Sequence, residues 1–163
     1  MARTKKTEEE IVKAPKNKTL KTEYVSAVGR RKEAIARVRL YPNTKTDVMW
    51  GEQVIKKGEI FVNEKPINTY FSSMSAKMMY DEPFDITNTK GKFTATIRVS
   101  GGGNNGQLDA AILGIARALI VHDKSFRPAL KKKGLLSRDS RIRERRKVGT
   151  GGKARRKKQS PKR

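Results

Sequence analysis

Cysteine is absent from this chain and histidine occurs once, as His122. Without thiols there is no disulfide framework, no thiolate metal site and no cysteine nucleophile. A lone imidazole cannot anchor a multi-histidine metal site. Aromatic residues are only 6% of the chain. No apolar run approaches the roughly 18–20 residues that a membrane span needs. Residues 1–20 lack the apolar stretch of an export signal, and Glu8, Glu9 and Glu10 run against the acid-poor composition of an organelle presequence, so a cytosolic protein is expected. Acids are scarce too. Sixteen Asp and Glu face 39 Lys and Arg, a formal charge of +23 on 163 residues. That length argues for one domain with a modest core of about 100 residues.

The positive charge is concentrated. Residues 131–163 hold 16 Lys or Arg against two acids, Asp139 and Glu144, a net of +14. Few large apolar side chains follow Leu135, Leu136, Ile142 and Val148, so this segment cannot offset its own ordering entropy and is expected to be ordered by a polyanion. Fully extended, it reaches at most about 110 Å at about 3.3 Å per residue. Charge of this density points to nucleic acid or an anionic membrane. A membrane-surface helix would set aromatic or leucine stripes against its cations, and the tail has no aromatic residue, so nucleic acid is the expected partner and no membrane is.

Residues 1–22 read as a loose polar extension, residues 23–130 as the globular domain and residues 131–163 as an extended basic tail. Tyr24 to Val28 suggest a short strand, and Gly29, Arg30, Arg31 and Lys32 a basic turn. Ala34, Ala36, Val38 and Leu40 then alternate with Ile35, Arg37, Arg39 and Tyr41, the period of a half-buried strand whose outer face carries arginine. Residues 42–58, punctuated by Pro42, Gly51 and Gly58, read as a long excursion whose Trp50 packs on the domain. A strand over 60–63 is expected to turn at Asn63 to Pro66. Ile67, Tyr70, Phe71 and Met74 fall at helical spacing. Met74, Met78, Met79 and Tyr80 suggest a short core-packed helix ending before Pro83. Phe84 and Ile86, then Phe93, Ala95, Ile97 and Val99, read as a second hairpin turning at 88–91.

The clearest helix follows the glycine loop. Leu108, Ala111, Ile112, Ile115, Ala116, Leu119 and Ile120 recur at steps of three and four, and Asn104 or Asn105 is a candidate cap. Its second stripe, Ala110, Gly114 and Ala118, is small enough for another backbone to approach. Residues 125–132 suggest a further short helix, capped by Ser125 and stopped by Gly134.

The loop Ser100, Gly101, Gly102, Gly103, Asn104, Asn105 and Gly106 admits three readings. It is a turn with a helix cap, a contact for polymer phosphate, or a nucleotide site. The phosphate-loop pattern demands Lys and Ser or Thr after its last glycine, and here Gln107 and Leu108 follow. Gly101, Gly103 and Gly106 fit the dinucleotide spacing, but hairpins rather than a parallel unit precede them. No catalytic set emerges. His122 beside Asp123 reads as a capping or surface residue, and Asp81, Glu82 and Asp85 as solvated acids in a loop. Neither enzyme activity nor a cofactor is expected.

Three basic groups stand out. Arg30, Arg31, Lys32, Arg37 and Arg39 form one surface on the first hairpin. Arg138, Arg141, Arg143, Arg145, Arg146 and Lys147 form a second group. Arg155, Arg156, Lys157, Lys158, Lys162 and Arg163 form a third. Arginine suits bidentate phosphate contact and base stacking. A free architectural DNA-binding protein would share this charge, but the wedge or groove-entering element it needs is not evident.

At these residues a resemblance emerges. Ala27, Val28, Gly29, Arg30, Arg31, Lys32, Glu33, Ala34, Ile35, Ala36, Arg37 and Val38 resemble the opening hairpin of the bacterial-type small-subunit ribosomal protein nine family. Phe61, Val62 and Asn63 with Tyr70 and Phe71 are similar to its next block. Gly101, Gly102, Gly103, Gly106 and Gln107, then Gly114, Ile115, Ala116, Arg117, Ala118 and Leu119, are similar to its signature. So are Gly134, Leu135, Leu136, Ser137, Arg138, Asp139, Ser140 and Arg141, with Glu144, Arg145, Arg146 and Lys147. The resemblance covers residues 24–163. It implies an α+β two-layer sandwich of a mixed sheet and helices, with a left-handed β-α-β crossover and a long basic tail. It implies a structural constituent of the small ribosomal subunit, in a bacterial cytosol or an organelle with a bacterial-type ribosome. The implied partners are small-subunit rRNA in the subunit head, neighbouring ribosomal proteins and P-site tRNA. Implied rRNA contacts are Arg30, Arg31, Lys32, Arg37, Arg39, Gly101, Gly102, Gly103, Gln107, Arg117, Arg138, Arg141, Arg145, Arg146, Lys147, Arg155 and Arg156. Implied tRNA contacts are Lys162 and Arg163. The chain departs from the family pattern in its ending Gln159, Ser160, Pro161, Lys162, Arg163, which lacks an aromatic, in its longer 42–58 connection and in its 22-residue front extension.

Overall fold

A computed structural model of the chain describes residues 24–42, 48–51 and 53–145. Its first hairpin pairs β1 (Val25–Arg31) with β2 (Ala34–Tyr41) in antiparallel register, Arg31 opposite Ala34 and Val25 opposite Leu40. The basic turn is tighter than the sequence suggests. Gly29, Arg30 and Arg31 belong to the strand, and only Lys32 and Glu33 turn, with Lys32 at φ 52°. The alternation along β2 is as expected: Ala34, Ala36, Val38 and Leu40 are buried while Arg37 and Arg39 face outward.

The excursion over 42–58 carries a small hairpin of its own, β3 (Val48–Trp50) with β4 (Gln53–Ile55). Val48 and Ile55 join Tyr41 in a satellite cluster, with Trp50 and Phe61 packed against it, so the tryptophan does rest on the domain. β5 (Ile60–Val62) turns through Asn63 and Glu64, both at positive φ, into β6 (Lys65–Pro66). α1 (Ile67–Tyr70) follows directly.

α2 (Met74–Ile86) corrects two expectations. It runs through Pro83, and it contains Phe84 and Ile86, which the residue pattern assigns to a hairpin. Proline removes one helical hydrogen bond, but Ala76, Tyr80 and Phe84 recur at steps of four and, with Pro83, bury one side of the helix. That stripe holds the last turn in place. It also turns Met74 and Met78 to solvent, against the expected core packing. The Thr87 hydroxyl donates to the carbonyl of Pro83 at 2.9 Å and closes the helix end. The turn at 88–91 survives, with Asn88 and Gly91 at positive φ, but it joins a helix to β7 (Thr94–Ser100).

The strand order is β1-β2-β7-β5-β6, all neighbours antiparallel except β5 with β7. That parallel pair is joined through β6, α1 and α2, and the sheet is therefore mixed, as the resemblance implies. α3 (Asn104–His122) lies across its inner face and is buried along most of its length. A short 3-10 turn (Lys124–Phe126) and α4 (Arg127–Lys132) complete the helical layer. Asp123, rather than Ser125, caps this turn, its side chain accepting the Ser125 amide at 2.9 Å. Gly134, at φ 77°, ends α4, and Leu135 and Leu136 pack on the core. Among the described residues no helix is long and apolar enough to cross a membrane.

Helix and hairpin meet backbone to backbone. A Cβ built on Gly29 would lie 1.9 Å from the Ala110 carbonyl oxygen and 2.5 Å from the Gly114 nitrogen. The small stripe of α3 thus serves the close approach its composition suggests. Since neither partner atom belongs to a flexible side chain, the helix itself would have to move. Gly29→Ala is expected to cost about 3 kcal/mol of folding stability, read from urea unfolding of the variant beside the parent chain.

Candidate nucleic-acid interface

Strand parity sorts the basic residues of the first hairpin onto two faces. Val25, Ala27, Gly29 and Arg31 share the side of β1 that meets α3, whereas Ser26, Val28 and Arg30 share the outer side. Arg30, Arg37 and Arg39 therefore lie on one exposed face, with Lys32 at its turn, and Arg31 does not join them. Arg98 of β7 does. It stands directly opposite Arg37 in the register, and Val28 stands opposite Arg37 on the other side. The sequence carries its signal, as the outward residue between Ile97 and Val99.

Among the described residues, the outer side of the three long strands holds no acid. Its residues on the three long strands are Ser26, Val28, Arg30, Ile35, Arg37, Arg39, Tyr41, Thr94, Thr96, Arg98 and Ser100. Among the described residues Arg30, Arg37 and Arg98 make no ion pair. Arg39 lies 5.0 Å from the ring centroid of Tyr24, which itself rests on Tyr41. Like charges directly opposite each other destabilise a sheet. Arg37 facing Arg98 is therefore a local cost to the sheet.

Arg31 is used internally. Its side chain is only 14% exposed, and its guanidinium pairs with Asp109 at 3.4 Å and Asp139 at 2.9 Å. It also donates to the Arg141 carbonyl at 3.0 Å. Asp139 in turn is gripped by Arg141, at 2.6 Å through the guanidinium and 2.9 Å through the backbone amide. Residues 139–141 are thereby strapped beside the first hairpin, while Arg138, Arg141 and Arg145 stay exposed. Arg146, Lys147, Arg155, Arg156, Lys162 and Arg163 lie outside the described residues, as do residues 1–22.

The glycine loop is chiefly architectural. Gly101 and Gly102 have φ of 74° and 62°, and their backbones press on Glu33 and Ala34 at the hairpin turn. Gly103 sits at the helix cap position without a side-chain cap, and Asn104 and Asn105 are the first helical residues rather than caps. The Gln107 amide donates to the Gly101 carbonyl at 3.0 Å and accepts the Tyr70 hydroxyl at 2.7 Å. Asn63 ties into the same set through both backbone groups of Val99. Arg117 donates to the Val28 carbonyl at 2.8 Å. The loop nonetheless stays exposed from Ser100 to Asn105, at the end of the sheet where Arg30 and Lys32 lie. His122 closes α3 with its ring edge-on to Phe93. Asp81, Glu82 and Asp85 lie on α2 rather than in a loop.

Residues 29–163 match the family described as Ribosomal protein S9/S16. The chain belongs to the ribosomal protein S9 family. A structural, non-enzymatic role in the ribosome comes with that membership, alongside ribosomal RNA and neighbouring ribosomal proteins. Among the described residues, the arginine face and the Asp139 strap both carry exposed positive charge on an ordered support.

The strap has a pH signature. Hydrogen bonds from the Arg141 side chain and amide, with the charges of Arg141 and Arg31, hold the Asp139 carboxyl well below its ordinary value of 3.8. A carboxyl depressed on folding adds stability above its unfolded value and loses it as pH falls toward the folded one. Amide signals of residues 139–141 should therefore stay constant from neutrality to about pH 5 and shift progressively below pH 3.8. In Asp139→Asn this acid-dependent step should be absent.

Proposed function

We propose that this S9-family chain binds rRNA in the head of the small ribosomal subunit, and that its C-terminal tail reaches P-site tRNA during translation. The observation that carries the rRNA part is the acid-free arginine face, with Arg37 and Arg98 opposed across β2 and β7. A sheet that sets two arginines opposite each other on neighbouring strands, with no acid on that side of the described strands, suits an anion held between them, and polymer phosphate supplies that charge repeatedly. Such contacts fix position and orientation without reading sequence. Arg30, Lys32 and the exposed edge of the glycine loop extend the same surface. Arg138, Arg141 and Arg145, exposed on the described first part of the tail, add to it. The tail reading rests on charge and on family resemblance. Its last two residues, Lys162 and Arg163, would meet the tRNA backbone.

Arg98→Thr separates binding from folding. It should stabilise the free chain by about 0.5 kcal/mol through relief of the opposed charge, while weakening rRNA binding. The slope of log affinity against log salt should become shallower by about 0.7–0.9, the share of one phosphate that the variant leaves without its cation. Equal affinity and slope in the variant would remove the arginine face from the interface.

Deleting Lys162 and Arg163 tests the tail. Small subunits should assemble with the shortened chain, and their P-site tRNA affinity should fall. Unchanged tRNA affinity in filter binding would refute the assignment.

A further inference from the structure

In the helical layer, α2 presents a surface of opposite character to the arginine face. Ala76, Tyr80, Pro83 and Phe84 turn inward, so the helical period turns Met74, Met78, Glu82 and Asp85 outward as one stripe. Met74 is 67% exposed, Met78 65% and the adjacent Met79 42%. They border an open groove of about 430 Å³ whose further wall is Asp81, Glu82 and Asp85. Lys90 pairs with Asp81 at 2.8 Å and with Asp85 at 3.6 Å, while Glu82 makes no ion pair among the described residues. Even with Lys77 and Lys90 counted, three acids against two lysines leave this groove negative on a chain of net charge +23.

We infer that this face of α2 docks a basic segment of another small-subunit protein, with an apolar side chain of that segment seated among Met74, Met78 and Met79. Exposed apolar side chains rimmed by polar ones mark interaction sites. Unbranched thioethers adapt their shape to an inserted side chain. The acids select a cationic partner and repel phosphate, which separates this face from RNA. The two faces of the domain thus divide the labour, RNA on the sheet and protein on the helical layer. The inference rests on the ribosomal reading above, since that reading supplies the neighbouring protein.

The test places photoreactive benzoylphenylalanine at position 78 of the full chain, in cells whose small subunits are then purified and irradiated. The expected result is an adduct to a net-positive peptide of one other subunit protein. Glu82→Lys with Asp85→Lys should lower that yield about ten-fold, with incorporation of the chain into subunits unchanged. Met74→Gln, which leaves charge alone, should lower it as well. An adduct to rRNA, an adduct to residues 1–23 of the same chain, no adduct, or a yield indifferent to charge reversal would each overturn the docking face. Absence of the unmodified chain from small subunits would instead overturn the ribosomal reading beneath it.

Discussion

The whole domain is organised by the contact between the backbone of Gly29 and the small stripe of α3. With no side chain between them, strand and helix lie closer than ordinary packing allows. That closeness brings Asp109 of α3 within reach of Arg31, and it seats the glycine loop, which leads into α3, on the hairpin turn at Glu33 and Ala34. Everything basic on the first hairpin is then assigned by parity. Arg31, on the helix side, is drawn into internal pairs, while Arg30, Arg37 and Arg39 stay exposed on the other side.

Arg30 and Arg31 show how sharply that assignment operates. They are neighbours in sequence, yet one is exposed on an acid-free face and the other is shared between two carboxylates. Arg31 does contribute to the basic surface, but at one remove. By holding Asp139 it sets where the chain beyond α4 leaves the body, and Arg138, Arg141 and Arg145 gain a defined starting point from it.

Much of this architecture is legible in the residue pattern. The alternation from Ala34 to Tyr41 marks β2, steps of three and four mark α3, and Ala110, Gly114 and Ala118 announce a close backbone approach. The departures share an origin, which is residue type weighed without phase. Pro83 has the character of a stop, although Ala76, Tyr80 and Phe84 describe a helix buried on one side through that point. Met74 and Met78 have the chemistry of core residues, although they fall opposite that buried stripe. Arg98 hides between inward neighbours Ile97 and Val99, which dominate the strand pattern. The Arg31 staple is beyond the reach of sequence, because Asp109 and Asp139 lie 78 and 108 residues away and only the fold brings them together.

The bond from Arg117 to the Val28 carbonyl also bears on the free margin of the sheet. In the ladder that begins at Arg31 and Ala34, Val28 falls at a pair whose carbonyl points off the open margin of β1. A guanidinium parked there obstructs a second molecule that would add its own strand. At the opposite margin β6 is two residues long and ends in Pro66, which has no amide to offer. Each margin of the sheet thus carries a local obstacle to strand addition by a second molecule.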